Sequence, residues 1–339
     1  MLTTVEQLDE LLSRPNAADI EAMREMDGDL IILGVGGKMG PSLALRARRA
    51  AEAAGVERRI IGVSRFSSPE LRELLENSGV ETLAADLLEQ EELARLPDAP
   101  NVIFLAARKF GTSNQEHLTW AMNTYLPGRV AERYYASRIV SFSSGNVYPM
   151  LPVPRGGATE HTPTHPDGEY AMSVLGRERM FQHFSERYGT PVTLLRLNYA
   201  VELRYGVLFD IGRKVFERHP INLSMGCVNV IWQGDANSVC LRSFALCSSP
   251  PAILNLTGPE TLSVRQLARQ FGEAFGIEPI FEGVEAETAL LSNASRCHHM
   301  FGYPSVTLGE MTGWVAKWIA MGGAHLGKPT HFETRDGRF

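Results

Sequence analysis

The sequence predicts an α/β protein: a doubly wound parallel sheet with helices on both faces, joined to a smaller α/β C-terminal lobe. Three observations predict it. Apolar runs recur at Leu30-Ile31-Ile32-Leu33, Ile60-Ile61-Gly62-Val63, Val102-Ile103-Phe104-Leu105, Ile139-Val140-Ser141-Phe142 and Val192-Thr193-Leu194-Leu195. Helix-like segments alternate with them, and strands that are apolar on nearly every residue need both sides dry, as in a parallel sheet packed between helices. After about Leu197 the alternation weakens, and turn signals such as Gly258-Pro259 and Gly302-Tyr303-Pro304 break the chain into shorter pieces.

Taken in order, Thr4 can cap a helix in which Val5, Leu8, Leu11 and Leu12 recur at helical spacing until Pro15, and a second helical run spans 17–26. Residues 1–29 are therefore expected as a helical extension on the outside of the molecule, without chemistry. A strand at 30–33, a Gly-rich turn, a helix from Pro41 to Ala54 and a strand ending at Val63-Ser64-Arg65 follow. The sheet domain is expected to cover 30–198, with 226–250 returning to it. A second lobe is expected from 199–225 and 251–325. Trp314 and Trp318 sit at the spacing of a packed helix face. The tail, 326–339, is rich in Gly, His and charge and is expected to be irregular, with Phe332 and Phe339 able to dock on the body or on a second subunit.

Composition removes several function classes. With 339 residues, 44% of them hydrophobic, the chain can bury a large core. A net charge of -6 gives no global attraction to nucleic acid or anionic lipid. No run approaches the roughly 18 apolar residues that span a bilayer, and the N-terminus lacks the basic-then-apolar order of a signal peptide, so a cytoplasmic protein is expected. Cys227, Cys240, Cys247 and Cys297 lack CxxC spacing. Cys297-His298-His299 has no convergent second pair, so no metal is expected.

Chemistry enters at Gly34-Val35-Gly36-Gly37-Lys38-Met39-Gly40, between the first strand and the first sheet helix. Glycines there allow a tight turn and close approach of backbone to a pyrophosphate, which then sits on the helix N-terminus. At this junction the turn reads as the dinucleotide-binding turn of a Rossmann domain rather than a merely structural one, with Gly34, Gly37, Lys38, Met39 and Gly40 as the expected cofactor contacts. At the end of the second strand, where NAD-binding sites place a carboxylate, stand Ser64 and Arg65. Their chemistry suits the 2′-phosphate of NADP, with NAD as the alternative. Asp86 and Leu87 follow the third strand and would meet the adenine, or Asp86 could cap a helix.

Downstream stand Ser143-Ser144-Gly145-Asn146-Val147-Tyr148 and Glu160-x-x-Pro163-x-x-Pro166-x-x-x-Tyr170-x-x-Ser173. With Gly34-x-x-Gly37-x-x-Gly40, these resemble the extended short-chain dehydrogenase/reductases, the NAD-dependent epimerase/dehydratase family. Leu105-Ala106-Ala107, Asn123, Arg196, Asn229 to Asp235 and Leu291 to Pro304 extend the likeness in colinear order over about residues 30–320. The resemblance implies that Leu105, Ala106, Ala107, Asn123 and Tyr170 meet the cofactor, that Ser144 and Tyr170 are the catalytic pair, and that the chain forms a homodimer. It implies hydride transfer coupled to proton transfer by the tyrosine, on a sugar-like or polyol substrate.

One departure bears on the chemistry. Members of that family place a lysine four residues after the tyrosine, and here that position is Val174. A tyrosine titrating near 10 is ionised in only about one molecule in a thousand at pH 7. Lys109, which resembles a family lysine reaching the cofactor, could substitute, whereas Arg108 and Arg177 are less well placed. The charge could instead come from an oxidised nicotinamide, or the chain could be a catalytically silent dinucleotide-binding protein. On the substrate side, Asn146, Tyr199, Arg204 and Tyr205 are the candidate contacts. Arg196-Leu197-Asn198-Tyr199-Ala200 lacks the Asn-x-x-Gly-Pro ending common in nucleotide-sugar epimerases, and a smaller polyol, sugar acid or hydroxy-carbonyl compound is a further possibility.

Overall fold

The computed structural model describes residues 2–109 and 114–337. A seven-stranded, wholly parallel sheet forms its centre: β1 (Leu30–Leu33), β2 (Ile60–Ser64), β3 (Glu81–Ala84), β4 (Asn101–Phe104), β5 (Arg138–Ser144), β6 (Val192–Leu197) and β7 (Ala252–Leu256). Their order is β7-β6-β5-β4-β1-β2-β3. Chain direction reverses its progress between β1 and β4, so the carboxyl ends of those strands open a crevice at the switch point. Every residue of β1 and β4 is buried, as strands dry on both faces require.

Helices α1 (Val5–Ser13), α2 (Ala17–Glu25), α3 (Gly40–Ala54), α4 (Pro69–Asn77) and α5 (Gln90–Arg95) come from the first half of the chain. A continuous helical run follows, as α6 (Glu116–Trp120), a π turn at Ala121–Tyr125 and α7 (Leu126–Arg133). Then come α8 (Gly168–Tyr188), α9 (Val207–Phe216), α10 (Gln233–Arg242), α11 (Val264–Phe275), α12 (Ser295–Phe301) and α13 (Leu308–Ala320). The second lobe is built on α9, α11 and α13, whose Val207, Ile211, Phe271 and Trp318 share one buried cluster. No described helix is long and apolar enough to cross a membrane.

Two expectations change. The N-terminal helices are not a coat: Leu8 and Leu12 are fully buried in the core of the second lobe, and Met23 and Met26 in that of the sheet. Asp19 forms a buried ion pair with Arg46 at 2.6 Å, which anchors α2 to α3. β7, expected in the second lobe, is the edge of the central sheet, because the crossover through α10 returns it parallel to β6. The tail is irregular and docks on the body through Phe332, one of the two placements its phenylalanines offered. Phe332 is 1% exposed in the second-lobe core, Thr330 N donates to Asp210 at 2.7 Å, and Lys214 pairs with Glu333 at 2.9 Å. Phe339 lies outside the described residues.

Candidate active site

The Gly-rich turn leaves β1 and enters α3 over the crevice. Gly34 has φ +93°, and a Cβ there would lie 2.6 Å from Ala106 N, while a Cβ on Gly40 would lie 2.2 Å from Val35 O. Both positions therefore require glycine. No side chain caps α3, whose N-terminus, with Gly37, Lys38 and Met39, faces a cavity of about 1090 Å³. Uncapped N–H groups beside a closely approached backbone are what a dinucleotide pyrophosphate needs, and the volume exceeds that of a pocket for a single drug-sized ligand, typically about 300–1,000 Å³.

The end of β5 and the first turns of α8 form the cavity's opposite wall. Ser144, 8% exposed, ends β5, where its Oγ accepts from Asn146 N at 3.2 Å and donates to Asn146 Oδ1 at 2.9 Å. Tyr170, 9% exposed, lines the same wall of the cavity as Ser144. Burial pushes the Tyr170 phenol up, while the positive charge of Arg177 and the neighbouring Ser144 hydroxyl pull the other way. The structure thus brings the expected pair together.

Arg177 corrects the sequence reading, which judged it less well placed. Two helical turns beyond Tyr170, it is 2% exposed and donates to Phe142 O at 2.6 Å, Ala106 O at 3.0 Å and Asn123 Oδ1 at 3.2 Å. Burial lowers its pKa to about 10, still high enough to keep it charged at neutral pH. Val174, at the family's lysine position, is 1% exposed and packs with Val147, Tyr148 and Tyr170. Lys109 also reaches the site, 5.7 Å from the centre of the Tyr170 ring, with burial lowering its pKa to about 8.

The remaining cofactor candidates divide. Leu105 and Ala107 line the cavity. Ala106 is buried and contributes its carbonyl to Arg177. Asn123, expected against the cofactor, is fully buried in the π turn. It accepts from Arg108 N at 2.9 Å and donates to Arg108 O at 2.9 Å and Ser173 Oγ at 3.0 Å. It therefore shapes the wall from behind. Leu87 is likewise buried in the core. Ser64 lies under Gly36, and its Oγ accepts from Phe66 N at 3.0 Å. Arg65 is 77% exposed, 3.7 Å from the Asp86 carboxylate. Asp86 caps no helix; it accepts from Leu88 N at 3.0 Å in the turn before α5, whose N-cap is Glu89.

On the substrate side Asn146, Tyr199, Arg204 and Tyr205 all line the cavity. Arg204 is engaged by Asp9 at 2.9 Å and by buried Glu202 at 3.0 Å, so it braces the wall. Asp9 of α1 was missed by the sequence reading, since nothing local marks a helix facing a distant cleft. Lys38 stands 3.0 Å over the Tyr205 ring, tying the glycine turn to the second lobe. From the tail, Leu326, Lys328 and Thr330 complete the lining.

The profile of the NAD dependent epimerase/dehydratase family matches residues 30–201. No curated protein matches by sequence similarity. Similar solved structures include MoeE5 in complex with UDP-glucose and NAD (18% identity, TM-score 0.71, 87% of this chain and 99% of that one). The UDP-glucose 4-epimerase of Thermus thermophilus with NAD is also similar (18%, 0.70, 85% and 98%). So is the UDP-glucuronic acid 4-epimerase of Bacillus cereus with UDP-glucuronic acid and NAD (17%, 0.70, 86% and 99%).

Proposed function

The chain belongs to the NAD dependent epimerase/dehydratase family, a family of enzymes, and from that premise we propose that it oxidises or epimerises a sugar-like alcohol with Tyr170 as acid/base. The observation carrying this is that Ser144 and Tyr170 stand together on the wall of the same cavity as the glycine turn. When bound, a nicotinamide dinucleotide accepts and returns the hydride. Tyr170 takes the proton of the substrate hydroxyl, and Ser144 hydrogen-bonds the same oxygen. Arg177 lowers the cost of the phenolate from behind, and Lys109 does so from the ring face, together replacing the missing lysine.

Arg65 at the end of β2 supports NADP, since its exposed guanidinium is free to turn toward a 2′-phosphate; Asp86 beside it is the group through which NAD would bind instead. Similar structures hold UDP-sugars, which makes a sugar nucleotide one candidate substrate beside smaller polyols and sugar acids. The test mixes the full chain with NADP or NAD and a panel of these compounds and follows both dinucleotide reduction and substrate epimerisation. Tyr170→Phe should lower turnover by about 10²-fold or more while dinucleotide binding survives. Unchanged turnover would remove Tyr170 from the mechanism.

Val174 favours a second reading, a dinucleotide-binding protein without turnover, because the valine packs where the family's lysine would stand. Tight dinucleotide binding with no reaction across the panel would select it.

A further inference from the structure

Behind the wall that carries Ser144 and Tyr170 lies a buried ion pair that takes no part in the chemistry described above. Glu178, on α8 two helical turns beyond Tyr170, and Arg196, in β6, each have side chains 3% exposed. They meet at two points: Arg196 Nε donates to Glu178 Oε1 at 2.8 Å and Arg196 Nη2 to Glu178 Oε2 at 2.6 Å. Glu178 Oε1 also accepts from Ser143 Oγ at 2.5 Å, and Ser143 is the neighbour of Ser144 at the end of β5. Arg196 Nη1 donates to the Tyr148 hydroxyl at 2.8 Å, which donates on to Asn255 Oδ1 of β7 at 2.8 Å. Tyr148 in turn packs with Val174 and Tyr170. We infer that Glu178 and Arg196 are positioning residues for the Ser144–Tyr170 pair, fixing the start of α8 against the end of β5. The inference rests on the Tyr170-dependent reading above and deepens it.

Stability alone is a poor reason for such a pair. Taking both charges out of water offsets most of their attraction, and packed apolar side chains of similar volume hold a fold as well or better. Charges joined at two points supply direction instead, because a planar guanidinium facing a carboxylate fixes the orientation of both. Direction is what the site needs. Ser144 and Tyr170 come from different elements, and catalytic groups must stand within about 0.5 Å of the productive geometry. Arg177 holds α8 to the carbonyls of Phe142 and Ala106. Glu178, the next residue, holds it to Ser143 and β6, so the helix is pinned to the sheet at adjacent positions. Val174, one turn after Tyr170, has only an apolar side chain to offer, and orientation falls to these two.

The experiment removes the charges while keeping the packing. In the full chain Glu178→Leu and Arg196→Met are combined with Ser143→Ala, which spares the serine hydroxyl a lost acceptor, while Tyr148 keeps its bond to Asn255. Three quantities are compared with the wild type: the denaturant midpoint, dinucleotide binding by tryptophan fluorescence, and kcat and KM on the compound that the wild type turns over. The midpoint should stay at or above that of the wild type and dinucleotide binding should persist, while kcat falls by about tenfold or more with KM nearly unchanged. Wild-type kcat in this folded variant, or a loss confined to KM, would overturn the inference, because packing fully replaces a merely structural pair. If the triple variant does not fold, Glu178→Asp, which keeps the charge but withdraws the carboxylate, takes its place. Its kcat should fall by about tenfold or more, and a kcat that falls no further than the folded fraction would overturn the inference. A wild type that turns nothing over fails the reading above instead. The ultraviolet difference titration of each chain against its Tyr170→Phe counterpart then decides. The phenol midpoint should move by about half a unit or more in the variant, as Ser144 and Arg177 lose their places beside it, and an unmoved midpoint would overturn the inference.

Discussion

Around Tyr170, burial and charge oppose each other, and the balance sets the pH at which the site can work. Because burial raises the phenol, the phenolate grows with pH and activity should climb through the alkaline range. Val174 is one helical turn from Tyr170, so Val174→Lys would place an ammonium on the same face and favour the phenolate. The alkaline midpoint of the pH–rate profile should fall by about one unit or more; an unmoved midpoint would show that the proton leaves by another route. Lys38 allows a stability measurement that needs no substrate. Its folded pKa, about 7, is below the ordinary lysine value of 10.5, so between these values the unfolded chain binds more protons and stability rises with pH. Lys38→Met should therefore stabilise the ligand-free protein by about 1 kcal/mol or more below pH 7, with the gain fading as pH rises toward 10.5. Denaturant titrations at pH 6 and pH 9 check this, and an equal difference at both would contradict it. Arg177 was hidden from sequence reasoning for a related reason. Its importance comes from the carbonyls of Ala106 and Phe142, which only the folded sheet brings over α8.

Elements whose role is local were legible, and those whose role depends on distant partners were not. The strands β1, β2, β4, β5 and β6 announce themselves because a strand dry on both faces is apolar throughout, and the glycine turn because two of its positions exclude any side chain. β7 carries a similar run, Ala252-Ile253-Leu254-Asn255-Leu256, but its place at the sheet edge depends on the crossover before it. The π turn at Ala121–Tyr125 has no sequence signature either, yet it turns Asn123 inward to bond Arg108, Ser173 and Arg177. Asn123→Ala would leave those buried groups short of partners, and a loss of about 1–3 kcal/mol is expected in denaturant unfolding. The tail is held by one buried phenylalanine and scattered polar contacts, which produce no periodicity. Phe332→Ala removes that anchor. Amide exchange over 326–336 should then rise while the central strands keep their protection, and unchanged exchange would show that the polar contacts suffice.

For the whole molecule, the arrangement of the two lobes explains why the site forms where it does. The sheet domain supplies the glycine turn and the Ser144–Tyr170 pair, the second lobe supplies Tyr199 and Tyr205, and the tail crosses back to place Gly337 against Asp167 and Gly168 at the start of α8. One face remains outside this closure. Trp120 and Met172, 37% and 38% exposed, lie on α6 and α8, joined by the hydrogen bond from Trp120 to Glu169, and Tyr125 beyond them is 57% exposed. Large apolar side chains left on a pair of packed helices are the usual material of an isologous interface, in which the same patch meets itself across a two-fold axis. We therefore expect a homodimer through α6, α7 and α8, with light scattering giving twice the chain mass of 37.4 kDa. Met172→Glu places a charge at this patch and, with its copy across the axis, should shift the protein toward monomer. Because Met172 is only two residues from Tyr170, turnover should be followed in the same variant, since a dimer that stiffens the start of α8 would lose activity in step with its dissociation. A wild-type monomer, or a variant that dimerises as tightly as the wild type, would place the interface elsewhere.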